Sequence, residues 1–437
     1  MDEEPVKMHG ELYRGHWQPP KCVTEFDVNA RLTFTSIKAH EYYDREDVLN
    51  EKVELLAELI RGSNNCMAYT GAGISTAAGI DDYATKSKEK SVTAEARPSV
   101  RDWKQARPTK AHHVMTSLHR SGHLKHWIQQ NHDSLPQKAG YPQHALNEIH
   151  GSLHDPANSV VPYEGQLRDD LYAWLQKWEI ENDLCLALGT SLSGFNADRV
   201  VETAFQRCQQ GLSAGLVIVN LQQTPYDEHS SLRIFSKIDT VMELLAVKLG
   251  LSFPGQDYVH VPEVAPDAKL QQDVFLVPFD EFGDPSQEKT VWDLRQGKAV
   301  KLTGGPYAGD IGRIVGKNED GHYRIRFEDS LHPTFKVKYR VFSLWLGNWW
   351  LEEATKGHGI SPGGRIPFVN VSDPAPLPPS PSPPPQRPPP PPSALLLRHH
   401  SSPSPSPAPP PPSPSIIAIF KEPEQEHVDF AECLLIS

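Results

Sequence analysis

In the run Thr70-Gly71-Ala72-Gly73-Ile74-Ser75-Thr76-Ala77-Ala78-Gly79-Ile80, glycines and small hydroxyl residues follow directly on the apolar stretch Cys66-Met67-Ala68-Tyr69. A strand that ends in glycines lets the backbone come close to a ligand, and N–H groups at the next helix start suit a pyrophosphate. This is a dinucleotide site in outline, although such a turn alone is also common at ordinary strand–helix junctions. Gln130-Asn131-His132-Asp133 follows the apolar run 124–128. Asn131 and Asp133 alternate on an extended segment, so both can face one cleft with an amide and a carboxylate; a plain polar turn would use the same residue types. Glu148-Ile149-His150-Gly151-Ser152 comes next, and 184–188 then runs into Gly189-Thr190-Ser191, whose N–H groups and hydroxyls suit a nucleotide. His150, one of 20 histidines, would by itself read as a packing or surface residue.

The elements that must position these groups alternate. The spacing of Val48, Leu49, Val53, Leu56, Leu59 and Ile60 predicts a helix over 47–61, with Asp47 a cap and Gly62 the stop. Strands are expected at 66–69, 124–128, 184–188 and 215–219, and helices from Pro108-Thr109 to Arg120, after Asn196, and over 239–249. The polar stretch 82–100 has no clear period and reads as a mobile loop. Strands alternating with helices imply a doubly wound, Rossmann-like parallel sheet with ligands at the strands' C-terminal ends, where every polar block falls.

The order of the four blocks, over about 47–251, resembles the sirtuin family of NAD-dependent protein-lysine deacylases, and the wording of 69–78 with Asn220-Leu221-Gln222 is most similar to the nuclear branch of human sirtuins six and seven. The resemblance implies NAD as cofactor, release of nicotinamide, and transfer of the acyl group from an acylated protein lysine, such as one on a histone, to ADP-ribose. On that reading His150 is the base, since imidazole titrates near neutral pH. Asn131 and Asp133 hold ribose and nicotinamide beside Gln130 and His132. Gly71, Ala72, Gly73, Ser75, Thr76, Asp82 and Tyr83 hold the phosphate side, and Gly189, Thr190, Ser191, Asn220, Leu221 and Gln222 the adenosine side.

The chain also departs from that family. Its usual Gly-Ile-Pro-Asp-Phe-Arg is Gly79-Ile80-Asp81-Asp82-Tyr83-Ala84 here, so a cationic fork beside the cofactor is missing. His132 replaces an aliphatic residue or cysteine, and Ser134 a glycine. Between His150 and Leu184, where the family inserts a module with a four-cysteine zinc, stand 33 residues without a cysteine, and a closed zinc site needs about four S or N ligands at short spacings. The expectation is a reduced small domain, no structural zinc and no other metal. Val160-Val161-Pro162-Tyr163-Glu164-Gly165 matches the family's acyl-peptide loop or a generic linker. These departures leave open a second reading, a catalytically weak NAD or ADP-ribose regulator acting as an adaptor.

The 437 residues leave room for two or three domains, and a net charge of −12 argues against a chain that coats nucleic acid as a whole. Five cysteines without a C-x-x-C pair suit a reducing compartment, nothing reads as a signal peptide or a membrane span, and an intracellular protein is expected, in the nucleus by family resemblance or else the cytoplasm. We expect an N-terminal extension (1–46), the catalytic domain (47–252), a linker (253–290), an all-β unit (291–352), a disordered Pro/Ser-rich segment (353–415) and a tail (416–437). The all-β unit resembles the KOW motif of SH3-like barrels at 300–314, and Asp320-Gly321 signals a hairpin. Tyr323, Ile325 and Phe327 alternate with His322, Arg324 and Arg326, giving a basic face that contacts RNA or protein or is simply solvated. Residues 374–414 hold 21 of the 41 prolines and cannot bury enough surface to fold.

Overall fold

The computed structural model describes residues 8–26, 28–30, 37–80, 105–161, 165–193, 196–331, 338–359 and 363–372, with the backbone path alone for 328–331 and 338–341. Asp82, Tyr83 and Ala84 with the loop around them, 162–164 of the expected peptide loop, Lys336, and the segments 374–414 and 416–437 lie outside these residues.

A short antiparallel hairpin of β1 (Lys21–Thr24) and β2 (Glu41–Tyr43) precedes α1 (Glu46–Gly62), whose buried stripe runs through Val48, Leu49, Lys52, Val53, Leu56, Ala57 and Ile60. Arg45, not Asp47, is the cap residue, and Glu46 and Asp47 in the first turn complement the helix dipole. Then follow β3 (Cys66–Thr70), α2 (Lys110–Arg120), β4 (His126–Gln129), α3 (Leu135–Lys138), β5 (Leu146–Glu148), α4 (Asp169–Glu181), β6 (Leu184–Leu188), α5 (Arg199–Gln209), β7 (Leu216–Val219), β8 (Leu232–Ile234) and α6 (Ile238–Leu249). The six strands β3 to β8 are all parallel and lie in the order β5-β4-β3-β6-β7-β8. Counting from β3 this is 3-2-1-4-5-6, the doubly wound order with its reversal between β3 and β6.

The period of two sorts the strands between two cores. Cys66, Ala68, Leu186 and Val217 pack with α1, α2 and α6, while Met67, Tyr69, Ala187 and Ile218 face α4 and α5. Helix α4 was not expected from the sequence; Leu171, Trp174, Leu175 and Trp178 recur at helical spacing, and the first three are buried in the second core with Trp178 packed against it.

The stretch 253–290, expected as a linker, contains β9 (Lys269–Gln271), β10 (Val274–Phe279) and the start of β11 (Pro285–Asp293), an antiparallel sheet in the order β11-β10-β9. Phe275, Val277 and Phe279 alternate along β10 and bury, so the segment folds. A second antiparallel sheet has the order β15 (Lys338–Leu346), β14 (Tyr323–Leu331), β13 (Ile311–Lys317), β12 (Ala299–Leu302), β16 (Phe368–Asn370). The turn before β14 is closed by the Gly321 N–H donating to Asn318 O at 3.0 Å, with Gly321 at φ 87°, where the hairpin was expected. One boundary and one residue placement shift. The ordered part continues past 352 through α7 (Trp350–Thr355) to β16, because Phe368 buries beside Trp292. His322 is buried, not on the basic face: its Nδ1 accepts from Asn348 N at 3.0 Å and its ring packs on His154.

The apolar core on the α4/α5 side runs without a break into this β module through Phe275, Trp292, Phe327 and Trp350, and residues 1–373 form one compact unit. Among the described residues no helix is long and apolar enough to cross a membrane.

Candidate active site

The expected blocks leave the C-terminal ends of five adjacent strands: Glu148–Ser152 from β5, Gln130–Asp133 from β4, Gly71–Thr76 from β3, Gly189–Ser191 from β6 and Asn220–Gln222 from β7. Where the strand order reverses, the ends of β3 and β6 touch. The Gly73 N–H donates to Gly189 O at 2.8 Å and the Gly71 N–H to Leu188 O at 3.2 Å. A Cβ on Gly73 would stand 2.7 Å from Gly189 Cα, and one on Gly189, which sits at φ 61°, would stand 2.7 Å from Gly73 C. These glycines are needed because backbone meets backbone. The turn continues as two short 3-10 turns, Ala72–Ile74 and Thr76–Ala78, rather than the regular helix expected to present N–H groups.

Ser75 is the hub of the polar cluster. Its Oγ donates to Asp133 Oδ2 at 2.6 Å and accepts from Asn131 Nδ2 at 3.0 Å; that amide also reaches Gly71 O at 3.1 Å. Asn131 and Asp133 thus meet at one point, across a bend at 132–133 rather than on the extended segment expected. Burial pushes the Asp133 carboxyl up, against hydrogen bonds from Ser75 and the Leu135 N–H that hold it down. Ser134, at the position where the resembled family carries glycine, has φ 58°, a left-handed conformation that costs a non-glycine residue about 1 kcal/mol or more.

His150, partly exposed, follows β5, the strand beside β4. Burial first, then the neighbouring His132, pulls its imidazole down to about 4, against a hydrogen bond to the Gln130 backbone. It is therefore neutral near pH 7, the form that accepts a proton. His132 turns toward the same segment, its Nδ1 donating to Gly151 O at 2.9 Å. Two buried carboxyls, Glu148 and Asp155, flank His150 in sequence, and neither was singled out as a site residue. Burial raises Glu148 to about 7 and Asp155 to about 6, and Gln143 Nε2 donates to Glu148 Oε2 at 3.1 Å. Glu148, two residues before His150, was the available signal.

On the β6/β7 side, Gln130 Nε2 donates to Thr190 Oγ1 at 3.0 Å and Asn220 Nδ2 to Thr190 O at 3.2 Å. Ser191, Asn220 and Gln222 line a small pocket with Ala30 and Ile37 of the N-terminal extension, a contribution no local pattern announces. Leu221 O accepts from Tyr42 N at 2.9 Å, so the extension also fixes this loop. Thr76 bonds back to Gly73 O, while Ala72 contributes only backbone to the first 3-10 turn. The donor set, an amide, hydroxyls and a carboxyl around a glycine-rich turn at the topological switch point, fits a dinucleotide.

The Sir2 family model matches residues 86–160. The fruit-fly NAD-dependent protein deacetylase Sirt6 is 30% identical over 264 residues, which cover 49% of this chain and 81% of that protein. The chain belongs to the Sir2 family. The rat NAD-dependent protein deacetylase sirtuin-7 is 30% identical over 260 residues, 50% of this sirtuin and 64% of the relative, so this sirtuin spans about two thirds of that protein's length at most. A solved Sir2 enzyme aligns with 46% of this sirtuin and 98% of its own chain, at 21% identity and a TM-score of 0.39.

Proposed function

We propose that this sirtuin is an NAD-dependent protein-lysine deacylase, releasing nicotinamide and passing the acyl group from lysine to ADP-ribose. The observation that carries the reading is the row of five strand ends with the Asn131–Ser75–Asp133 chain at the switch point and a neutral His150 one strand away. NAD, when bound, supplies an activated ribose carbon and a leaving group. Gly71 and Gly73 let the backbone approach its phosphates, and Asn131 and Asp133 orient the ribose and nicotinamide end. Thr190, Ser191, Asn220 and Gln222 hold the adenosine end, and His150 takes a ribose hydroxyl proton at a ring nitrogen. Asp82, Tyr83 and Leu221 complete the set the family resemblance suggests.

The substrate is an acylated lysine on a protein, a histone among the candidates, and the nucleus is the proposed compartment. We assign no four-cysteine zinc to 151–183; the described part of that segment is loop and α4. The five-stranded antiparallel sheet supports the SH3-like reading of 291–352, where exposed Arg313, Arg324 and Arg326 offer a contact for RNA or protein.

The test is incubation of the full chain with NAD and a panel of acyl-lysine peptides, followed by nicotinamide release. Release that requires the acyl-lysine supports the reading. Calorimetric NAD binding without acyl-dependent release would replace it with the regulator reading.

A further inference from the structure

His144 lies in the short 3-10 turn just before β5, in the α/β domain, and Glu353 lies on α7 in the β module. The two stand 209 positions apart, beyond the reach of any spacing rule, yet His144 Nδ1 is 3.0 Å from Glu353 Oε2. Past the end of α7 the chain folds back, the His358 N–H donating to Glu353 O at 2.8 Å, and this brings His358 Nδ1 to 3.5 Å from the same carboxylate oxygen. The two imidazole rings are 4.1 Å apart between centroids, and the three donor atoms all lie within 4.8 Å of one another.

A tetrahedral zinc ion with bonds of about 2.0 Å to N and O ligands sets its ligand atoms about 3.3 Å apart. Two of the three edges here already have that length, and the third closes by rotating one exposed imidazole. Glu353 is held for the task from behind: its other oxygen accepts the Gln143 N–H at 3.2 Å, the kind of outer hydrogen bond that orients a metal-ligating carboxylate. The side chains of His144 and His358 are 38% and 41% exposed and that of Glu353 is 8% exposed, so one ligand is anchored and solvent has a path to the others. Two imidazoles and a carboxylate form a borderline donor set suited to zinc rather than to calcium or magnesium.

We propose that His144, Glu353 and His358 bind a zinc-class divalent cation, with water completing the coordination, and that the ion clasps the β module to the α/β domain. The site contains no thiolate and is separate from the segment 151–183. The competing account of the same geometry is a carboxylate shared by two imidazoles as hydrogen-bond donors, which needs no metal and has little affinity for one.

The experiment uses the full chain, stripped with a chelator, dialysed and titrated at neutral pH with ZnCl2 and, separately, CoCl2. The expected result is one equivalent bound, a visible cobalt spectrum without a thiolate charge-transfer band in the near ultraviolet, and a zinc-dependent rise in Tm. His144→Ala and His358→Ala, both at partly exposed positions and checked for fold by far-UV circular dichroism, should each lower zinc affinity on the order of 100-fold. Absence of stoichiometric binding to the wild-type chain, binding unchanged in both variants, or a thiolate band would overturn the proposal.

Discussion

At the scale of single residues, the proposed chemistry rests on an imidazole held neutral by its surroundings. Burial brings His150 to about 4, so its neutral form persists well below the usual histidine range. Replacing it with alanine should cost on the order of 100-fold or more in turnover while NAD binding is largely kept. Single-turnover kinetics with calorimetry would check both halves, and a fully active variant would remove His150 from the mechanism. The residues of this cluster were legible as polar blocks at strand ends, and Asn131 and Asp133 both meet Ser75, but across a bend rather than by alternation. The depressed imidazole and the raised carboxyls of Glu148 and Asp155 were not legible. They depend on how deeply the fold buries each group, which no local spacing reveals; the Gln143 hydrogen bond to Glu148 works against that rise.

At the scale of elements, α1 shows how a helix read correctly from its apolar period can still hide a charge. Lys52 falls at i+4 from Val48 and i−4 from Leu56, in the middle of the buried stripe, and its side chain is fully buried. Its Nζ donates to Asp44 Oδ1 at 2.7 Å and to Arg233 O at 2.6 Å. Arg233 in turn ties Asp227 and the carbonyls of Asn220 and Gln222, so one buried network joins α1, the N-terminal extension and the proposed adenosine loop. Lys52→Met keeps the volume but strands Asp44 without its counter-charge, and breaking one partner of a buried pair typically costs about 3–5 kcal/mol. We expect that loss in urea unfolding; a change below about 1 kcal/mol would mean that the pair contributes nothing net. The β module was misjudged at its edges for a related reason. The strand at 368–370 has three residues and becomes one by pairing with β12 far back in the chain, Lys301 with Val369, whereas 274–279 pairs with the next strand and its alternation could have been read.

Across the whole molecule, burial of neutral histidines makes stability depend on pH. Burial is the main cause that lowers His9 and His112 to about 3 and His113, His150 and His322 to about 4. In the unfolded chain these groups take up protons near 6.5, so their contribution is complete above that pH and drains away as pH falls toward 4. Glu148 and Asp155 act in the opposite sense: their folded-state values of about 7 and about 6 mean that they favour the folded state increasingly as pH falls through that range. His119, His126 and His132 are lowered as well, and Asp44, Asp133, Asp227, Asp239 and Asp310 are raised. Because the histidines' unfolded value of 6.5 lies inside that range and the aspartates start from 3.8, the histidines dominate and acidification brings a net loss. Between about pH 7 and about pH 5 the Tm should drop on the order of 10 °C for a chain of this size. A Tm that holds steady or rises over that interval would contradict the sign. His113 offers the sharper check, because both its ring nitrogens are buried with no hydrogen-bond partner among the described residues. Replacing it with leucine removes a proton-binding site from the unfolded state without breaking a bond in the folded one. His113→Leu should flatten the acid limb of the Tm profile and leave the neutral limb within a few degrees of wild type.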